Sequence, residues 1–372
     1  MARTISYREA INEALAQEME RDESVIVMGE DNAGGEGSPG EMDAWGGVLG
    51  VTKGLYHKFP GRVLDTPISE SAFIGAAVGA ATRGMRPVAE LMFIDFMGVC
   101  FDQIFNQAAK FRYMFGGKAV TPVVVRTMYG AGLRAAAQHS QALYPIFTHI
   151  PGLKVVVPSS PYEAKGLLIQ SIRDDDPVIF CEHKLMYDTT GEVPEESYTI
   201  PFGEANLARE GGDVTIVAIG RMVSVALEAA DELASSGVEA EVVRDGDDVT
   251  VVALGRMVHM ATEAAGQLAQ AGIECEVVDL RTTSPLDTDT ILESVENTGR
   301  LVVVDEATPR CNLATDISAT VAQEAFGSLQ APIQMVTAPH TPVPFADSLE
   351  DLYMPDAQKV VNAAKAVTEW ER

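Results

Sequence analysis

Apolar residues fall into short runs separated by stretches of helical spacing. Val25–Met28, Val63–Leu64, Val88–Phe93, Pro122–Arg126, Leu153–Val157 and Val178–Glu182 read as buried strands. Ser6, Tyr7, Arg8 and Glu9 form a capping-box pattern ahead of a helix with Ala10, Ile11, Leu15 and Met19 on one face. Ser160 to Glu163 repeats that pattern, with Pro161 at the first helical position. Asp65, Thr66 and Pro67 break a strand, and Ile68, Ser69 and Glu70 lead into a helix carrying Gly75, Ala76, Ala77, Gly79, Ala80 and Ala81. Residues this small let another backbone approach closely. Met97 to Phe115 is expected to be one amphipathic helix with Phe101, Ile104, Phe105, Ala108 and Phe111 on its core or interface face. Alternating strands and helices predict an α/β fold, a mostly parallel sheet covered by helices on both faces. Tyr187–Pro201 is polar and reads as a linker, which divides the chain into domains at 1–190 and 202–372.

The second domain holds a tandem duplication. Residues 213–243 read DVTIVAIGRMVSVALEAADELASSGVEAEVV, and residues 248–278 read DVTVVALGRMVHMATEAAGQLAQAGIECEVV. Each copy reads as strand, helix, strand. The junction Arg244–Asp247 is too short for a parallel crossover between the strands that abut it. One copy is therefore expected to be displaced to the periphery or poorly ordered. Beyond the repeat, Leu301–Val304 and Ile333–Val336 read as strands, and Leu313–Phe326 and Ala357–Val367 as helices.

Charge narrows the classes of partner. The chain has 372 residues and a formal net charge of −27, which disfavours nucleic acid and anionic membrane. Met1 to Arg8 lacks an apolar run, so no signal peptide is expected, and no stretch is long enough for a membrane span. Cys100, Cys181, Cys275 and Cys311 are scattered, which suggests a reducing, cytoplasmic setting. Five of the six histidines, His57, His149, His183, His259 and His340, lack metal-ligand spacing, and neither G-x-S-x-G nor H-E-x-x-H is present.

On its own, Glu70 reads as a helix-start carboxylate facing the macrodipole. His139, alone near an expected helix start, reads as a hydrogen-bonded structural residue. The surrounding motifs change both readings. DTPISE, a glycine-alanine helix, RPVAELMF and AQHSQ together resemble the β subunits of thiamine diphosphate-dependent 2-oxo acid dehydrogenases, a transketolase-like family. Gly29–Asp31 and Gly47–Leu55 match two further runs of that family. The resemblance spans nearly the whole chain apart from one copy of the repeat. In that family the unit runs on into D-x-R-T-x-S-P-L-D, as only the second copy does here, which implies that the second forms the core and the first is displaced.

The resemblance implies a pyrimidine-binding domain followed by a smaller α/β C-terminal domain. It implies that Glu70 contacts N1′ of the thiamine aminopyrimidine, that Met92 and Phe96 line the pyrimidine pocket, and that Glu30 lies nearby. It implies that His139 shuttles protons and hands an acyl group to a lipoyl thiol. Some members hold a potassium ion on carbonyls matching Val123, Ser171, Ile172, Asp174 and Asp176; a solvated helix end is the competing reading of Asp174–Asp176. The companion α subunit supplies GDG followed by NN, which places Mg²⁺ and the diphosphate. Asp245–Asp247 is DGD without the asparagines, so this chain resembles only the pyrimidine half. An α₂β₂ heterotetramer and a lipoyl-bearing E2 partner are implied.

AWGGVLGVTKGL, DEATPRCNLATDI and TAPHTPVPF look most like the acetoin-cleaving branch of the family, with the pyruvate and branched-chain 2-oxo acid branches as the alternative. A non-catalytic scaffold or damaged paralogue is the alternative outside enzymology, because the duplication falls in the domain expected to mediate assembly.

Overall fold

The computed structural model describes residues 2–34, 46–209, 214–217, 249–253 and 275–370. The chain divides into two compact units. One comprises residues 1–129, 146–156 and 160–202; the other comprises 130–145, 157–159 and 203–372.

The first unit contains β1 (Ala2–Ser6), β2 (Val25–Gly29), β3 (Val63–Asp65), β4 (Arg86–Phe93), β5 (Val124–Tyr129), β6 (Lys154–Val156), β7 (Val178–His183) and β8 (Thr190–Pro194). Six of these lie side by side in the order β6-β7-β5-β4-β2-β3, all parallel. Every residue of β2, β5 and β7 is buried, as expected for parallel strands covered on both faces. Helix Tyr7–Arg21 opens with the reciprocal capping box of Ser6 and Glu9. It packs against helix Pro161–Arg173, where the Ser160 hydroxyl accepts from the Glu163 N–H. Arg173 Nη2 pairs with the buried Glu18 carboxylate across these helices at 2.6 Å.

Two expectations need correction here. Tyr187–Pro201 is not an irregular linker: β8 pairs antiparallel with β1, and Tyr187 and Ile200 are buried in the first unit's core. Only Tyr187, Val193 and Ile200 are buried among its polar residues, so composition alone hid the strand. Met97–Phe115 is not one helix. It runs as α-helix Met97–Asp102, π-helix Gln103–Ala108 and a short helix Phe111–Met114. The wide turn lets Gln103 lie against Gly75, where a Cβ would meet its side chain at 3.1 Å, while Ile104 and Ala108 turn inward.

The second unit contains β9 (Asn206–Arg209), β10 (Val214–Val217), β11 (Val249–Ala253), β12 (Cys275–Asp279), β13 (Thr282–Ser284), β14 (Leu301–Asp305) and β15 (Gln334–Thr337). A six-stranded sheet runs β15-β14-β11-β10-β12-β9, parallel except for β9. Helices Thr288–Thr298, Leu313–Glu324, Asp347–Tyr353 and Ala357–Thr368 accompany it.

The displaced first copy is also corrected. β10, from the first copy, sits inside the sheet between β11 and β12. Val214 pairs with Val249 and Val217 with Val252, so identical positions of the two copies face each other. The 31 residues from 218 to 248 separate β10 from β11, which is ample for a parallel crossover; the short junction constrained only the strand expected at Glu241–Val243. That junction strand, Glu241–Val243, and the helices of both copies lie outside the described residues.

Candidate functional site

The expected pyrimidine-site residues of the first unit all fall at the carboxyl edge of its parallel sheet, where open α/β sheets bind ligands. Glu30 follows β2, Glu70 opens helix Glu70–Ala81 just beyond β3, and Met92 and Phe96 lie at the end of β4 and in the turn after it. The Asp65 carboxylate accepts from the Ala33 N–H at 2.6 Å, tying the loop after β2 to the end of β3. Gly29 permits a close approach there: a Cβ on it would lie 2.9 Å from the Glu90 carbonyl oxygen.

Glu30 is 7% exposed, and its Oε1 has no hydrogen-bond partner. Burial first, then the charges of Glu70, Asp31 and Glu90, raise its pKa above the usual carboxylate value. Phe93 and Phe96 meet edge to face with centroids 5.5 Å apart, and Met92 packs on the main core. A buried acid, a second carboxyl at a helix start and nearby aromatic and thioether side chains are groups that suit a flat nitrogen heterocycle.

Glu70 is half-buried in this chain. Ser69, Ser71, Ala72, Ala76 and Gly79 are exposed, and Ile68 is 84% exposed. The small-residue face of the helix is thus only partly covered by Gln103.

His139 lies in a turn and not at a helix start. Arg134 and Ala136 both take left-handed conformations, at φ 59°, and the His139 N–H donates to the Ala136 carbonyl at 3.3 Å. The helix begins only at Tyr144, with Pro145 in its first turn, a position where proline is tolerated. His139 belongs to the second unit through segment 130–145, whereas Glu70 belongs to the first.

The residues suggested for potassium are engaged by cations of the protein. Arg86 Nη1 donates to the carbonyls of Ile172 and Asp174 at 3.0 and 2.8 Å. Lys154 Nζ binds both Asp174 carboxylate oxygens at 2.7 Å, and Arg112 pairs with Asp176. The Val123 carbonyl accepts from the Val178 N–H, and the Ser171 hydroxyl donates to the Leu167 carbonyl. Three side-chain cations thus already pair with the carboxylates of this loop. Among the described residues, no group of three His, Cys, Asp or Glu could hold a metal ion.

One polar cluster went unremarked in the sequence. Arg126, Glu90 and Glu182 sit within the largely apolar strands β5, β4 and β7, where Arg126 pairs with both carboxylates. An arginine in VVVRTMY and a glutamate in VIFCEH are the signal: charges within buried strands demand partners.

Known proteins share this architecture. The family description "Transketolase, pyrimidine binding domain" matches residues 3–189, and "Transketolase, C-terminal domain" matches residues 203–244 and again 239–360. The second domain's two matches coincide with the duplication. A solved chain titled "Split gene transketolase, inactive beta4 tetramer" superposes with a TM-score of 0.71 over 99% of both chains at 22% identity, a likeness of fold.

The chain belongs to the transketolase-like family of E1 β subunits. It is 66% identical to the acetoin:2,6-dichlorophenolindophenol oxidoreductase subunit beta of Cupriavidus necator, over 98% of each chain. It is 55% identical to the Bacillus subtilis protein of the same description, over 97% of this chain and 96% of that one. The pyruvate dehydrogenase E1 component subunit beta of Rickettsia felis is 43% identical over 98% of each. Among the described residues, no helix is long and apolar enough to cross a membrane.

Proposed function

We propose that this chain is the β subunit of a thiamine diphosphate-dependent E1 component acting on acetoin. The net reaction is acetoin plus lipoamide giving acetaldehyde plus S-acetyldihydrolipoamide. The observation that carries the reading is the position of Glu30, Glu70, Met92 and Phe96 together at the carboxyl edge of the parallel sheet. The choice of acetoin rests on the relatives at 66% and 55% identity; a pyruvate-type relative stands at 43%.

Thiamine diphosphate, when bound, supplies the electron sink for breaking the bond beside a carbonyl. Glu70 would hold the shared proton at N1′ of its pyrimidine, and Met92 and Phe96 would pack on the ring. Glu30, whose carboxyl is held above the usual carboxylate range by burial and by the Glu70 charge, would lie near the pyrimidine. His139 would move a proton during transfer of the acetyl group to the lipoyl thiol. An α chain would complete the site, with the Mg²⁺ and diphosphate ligands that this chain lacks, in an α₂β₂ assembly served by a lipoyl-bearing E2. The exposed small-residue face of helix Glu70–Ala81 supports such a partner contact.

The test is turnover by the reconstituted α/β pair with acetoin and with pyruvate, each with lipoamide as acceptor. Cofactor-dependent release of acetaldehyde from acetoin, with slower use of pyruvate, is expected. Preference for pyruvate would transfer the chain to the 2-oxo acid branch, and full activity of the isolated β chain would refute the two-subunit reading.

A further inference from the structure

The loop that presents His139 is gripped at both ends by carboxylates of its own unit. The Ala131 N–H donates to Glu306 at 2.9 Å, and the Gly132 N–H donates to Glu350 at 2.9 Å. Arg134 Nη1 meets the second oxygen of Glu350 at 3.0 Å, and Nη2 meets Asp351 at 2.8 Å. Beyond His139, the Tyr144 hydroxyl donates to Asp305 at 2.6 Å. Glu350, in helix Asp347–Tyr353, is fully buried; Asp305 at the end of β14 and Glu306 after it are buried too.

We infer that Glu350, with Arg134 as its counter-ion, is a positioning residue that sets where His139 stands during acyl transfer. This rests on the reading of His139 given above. A buried carboxylate is tolerated only when it is paired and hydrogen-bonded, and here its partners are the backbone and the arginine of one loop. Hydrogen bonds from N–H groups to an ionised carboxylate are strong ones, and more so away from water. The loop needs such a restraint. Arg134 and Ala136 both carry a Cβ into the left-handed region, at φ 59°. That conformation is unfavourable for such residues and persists only where the surroundings dictate it. Released from Glu350, the loop would relax and His139 would lose its place while the carboxyl edge carrying Glu70 stayed intact.

The experiment uses the reconstituted α/β complex carrying Glu350→Ala, Glu350→Gln or His139→Ala. Amide hydrogen exchange over residues 130–136 reads the clamp directly. It should quicken roughly tenfold or more in Glu350→Ala, as expected for losing one charge-assisted hydrogen bond. Acetyl transfer to lipoamide should fall by a similar factor, while deuterium exchange at C2 of the cofactor is unchanged. Glu350→Gln retains an acceptor for Gly132 and should restore part of both signals.

Native amide exchange in Glu350→Ala would overturn the clamp, as would C2 exchange and acetyl transfer falling together. Looser amides with undiminished transfer would overturn the positioning role. Normal transfer by His139→Ala would instead overturn the reading of His139. The two failures therefore appear in different variants.

Discussion

Arg126 grips both carboxylate oxygens of Glu182 inside an apolar sheet, Nε at 2.6 Å and Nη2 at 2.8 Å. Its remaining nitrogen reaches Glu90 at 2.9 Å, its direct register partner on the adjoining strand. The Tyr187 hydroxyl completes the cluster, donating to Glu182 at 2.7 Å. Burial pushes the Glu90 carboxyl up, and the guanidinium opposes that push. Arg126→Met would leave two carboxylates in the core without their cation. The expected loss is about 3–5 kcal/mol at neutral pH, the usual consequence of breaking a buried pair. Protonating the stranded acids shrinks that loss as pH falls. Urea denaturation at pH 7 and pH 5 measures both effects; a loss below about 1 kcal/mol, typical of an exposed pair, would contradict the assignment.

Asp305 supplies a pH dependence of stability. Burial and the neighbouring Glu306 charge raise its pKa to about 6, against the lowering effect of the Tyr144 hydroxyl and backbone N–H groups. A pKa raised on folding gives stability that is fully present below the unfolded value and is lost as pH rises through the folded one. Asp305→Asn removes this titration. Relative to the parent, the variant should gain stability between about pH 4 and pH 7, by on the order of 2–3 kcal/mol. Melting curves across that range decide; a parent that gains on the variant as pH rises would contradict the assignment.

Much of the first unit was legible because buried parallel strands and capped helices advertise themselves locally. Ser6, Glu9, Ser160 and Pro161 marked two helix starts, and the runs around Val27, Val124 and Phe180 marked central strands. Glu30, Glu70, Met92 and Phe96 were expected from the family resemblance, and the fold sets them along one edge of the sheet. Tertiary partners were not legible. The π-helical turn at Gln103–Ala108 answers to Gly75 on another helix, and β8 answers to β1 far away in sequence. The His139 turn depends on left-handed Arg134 and Ala136, which no local preference of those residues announces.

The duplicated unit makes a prediction about deletion. β11 already touches β12 through Val249 and Cys275, although β10 stands between them for most of their length. Removing residues 213–247, one full period, lets β11 take the place of β10 with the same side-chain pattern. The shortened chain should fold, pair with its α subunit and melt no lower than the parent. Circular dichroism melting and size-exclusion chromatography with the α chain test this. Loss of folding or pairing would show that the inserted strand is integral.

Cations of the protein around Asp174 and Asp176 imply indifference to potassium. At equal ionic strength, potassium should raise the melting temperature of the α/β complex no more than sodium does. Lys154→Met, which removes the partner of both Asp174 oxygens, should lower it in either salt. A stabilisation specific to potassium would instead favour an ion on the carbonyls near Ile172.

The central claim is that Glu70 activates the cofactor. Glu70→Gln keeps the shape of the side chain and removes the acid. The decisive measurement is hydrogen–deuterium exchange at C2 of thiamine diphosphate in the reconstituted α/β complex. Exchange in the variant should be slower by on the order of 10²-fold or more, the scale of a lost acid–base group. Exchange at the parent rate would contradict the account.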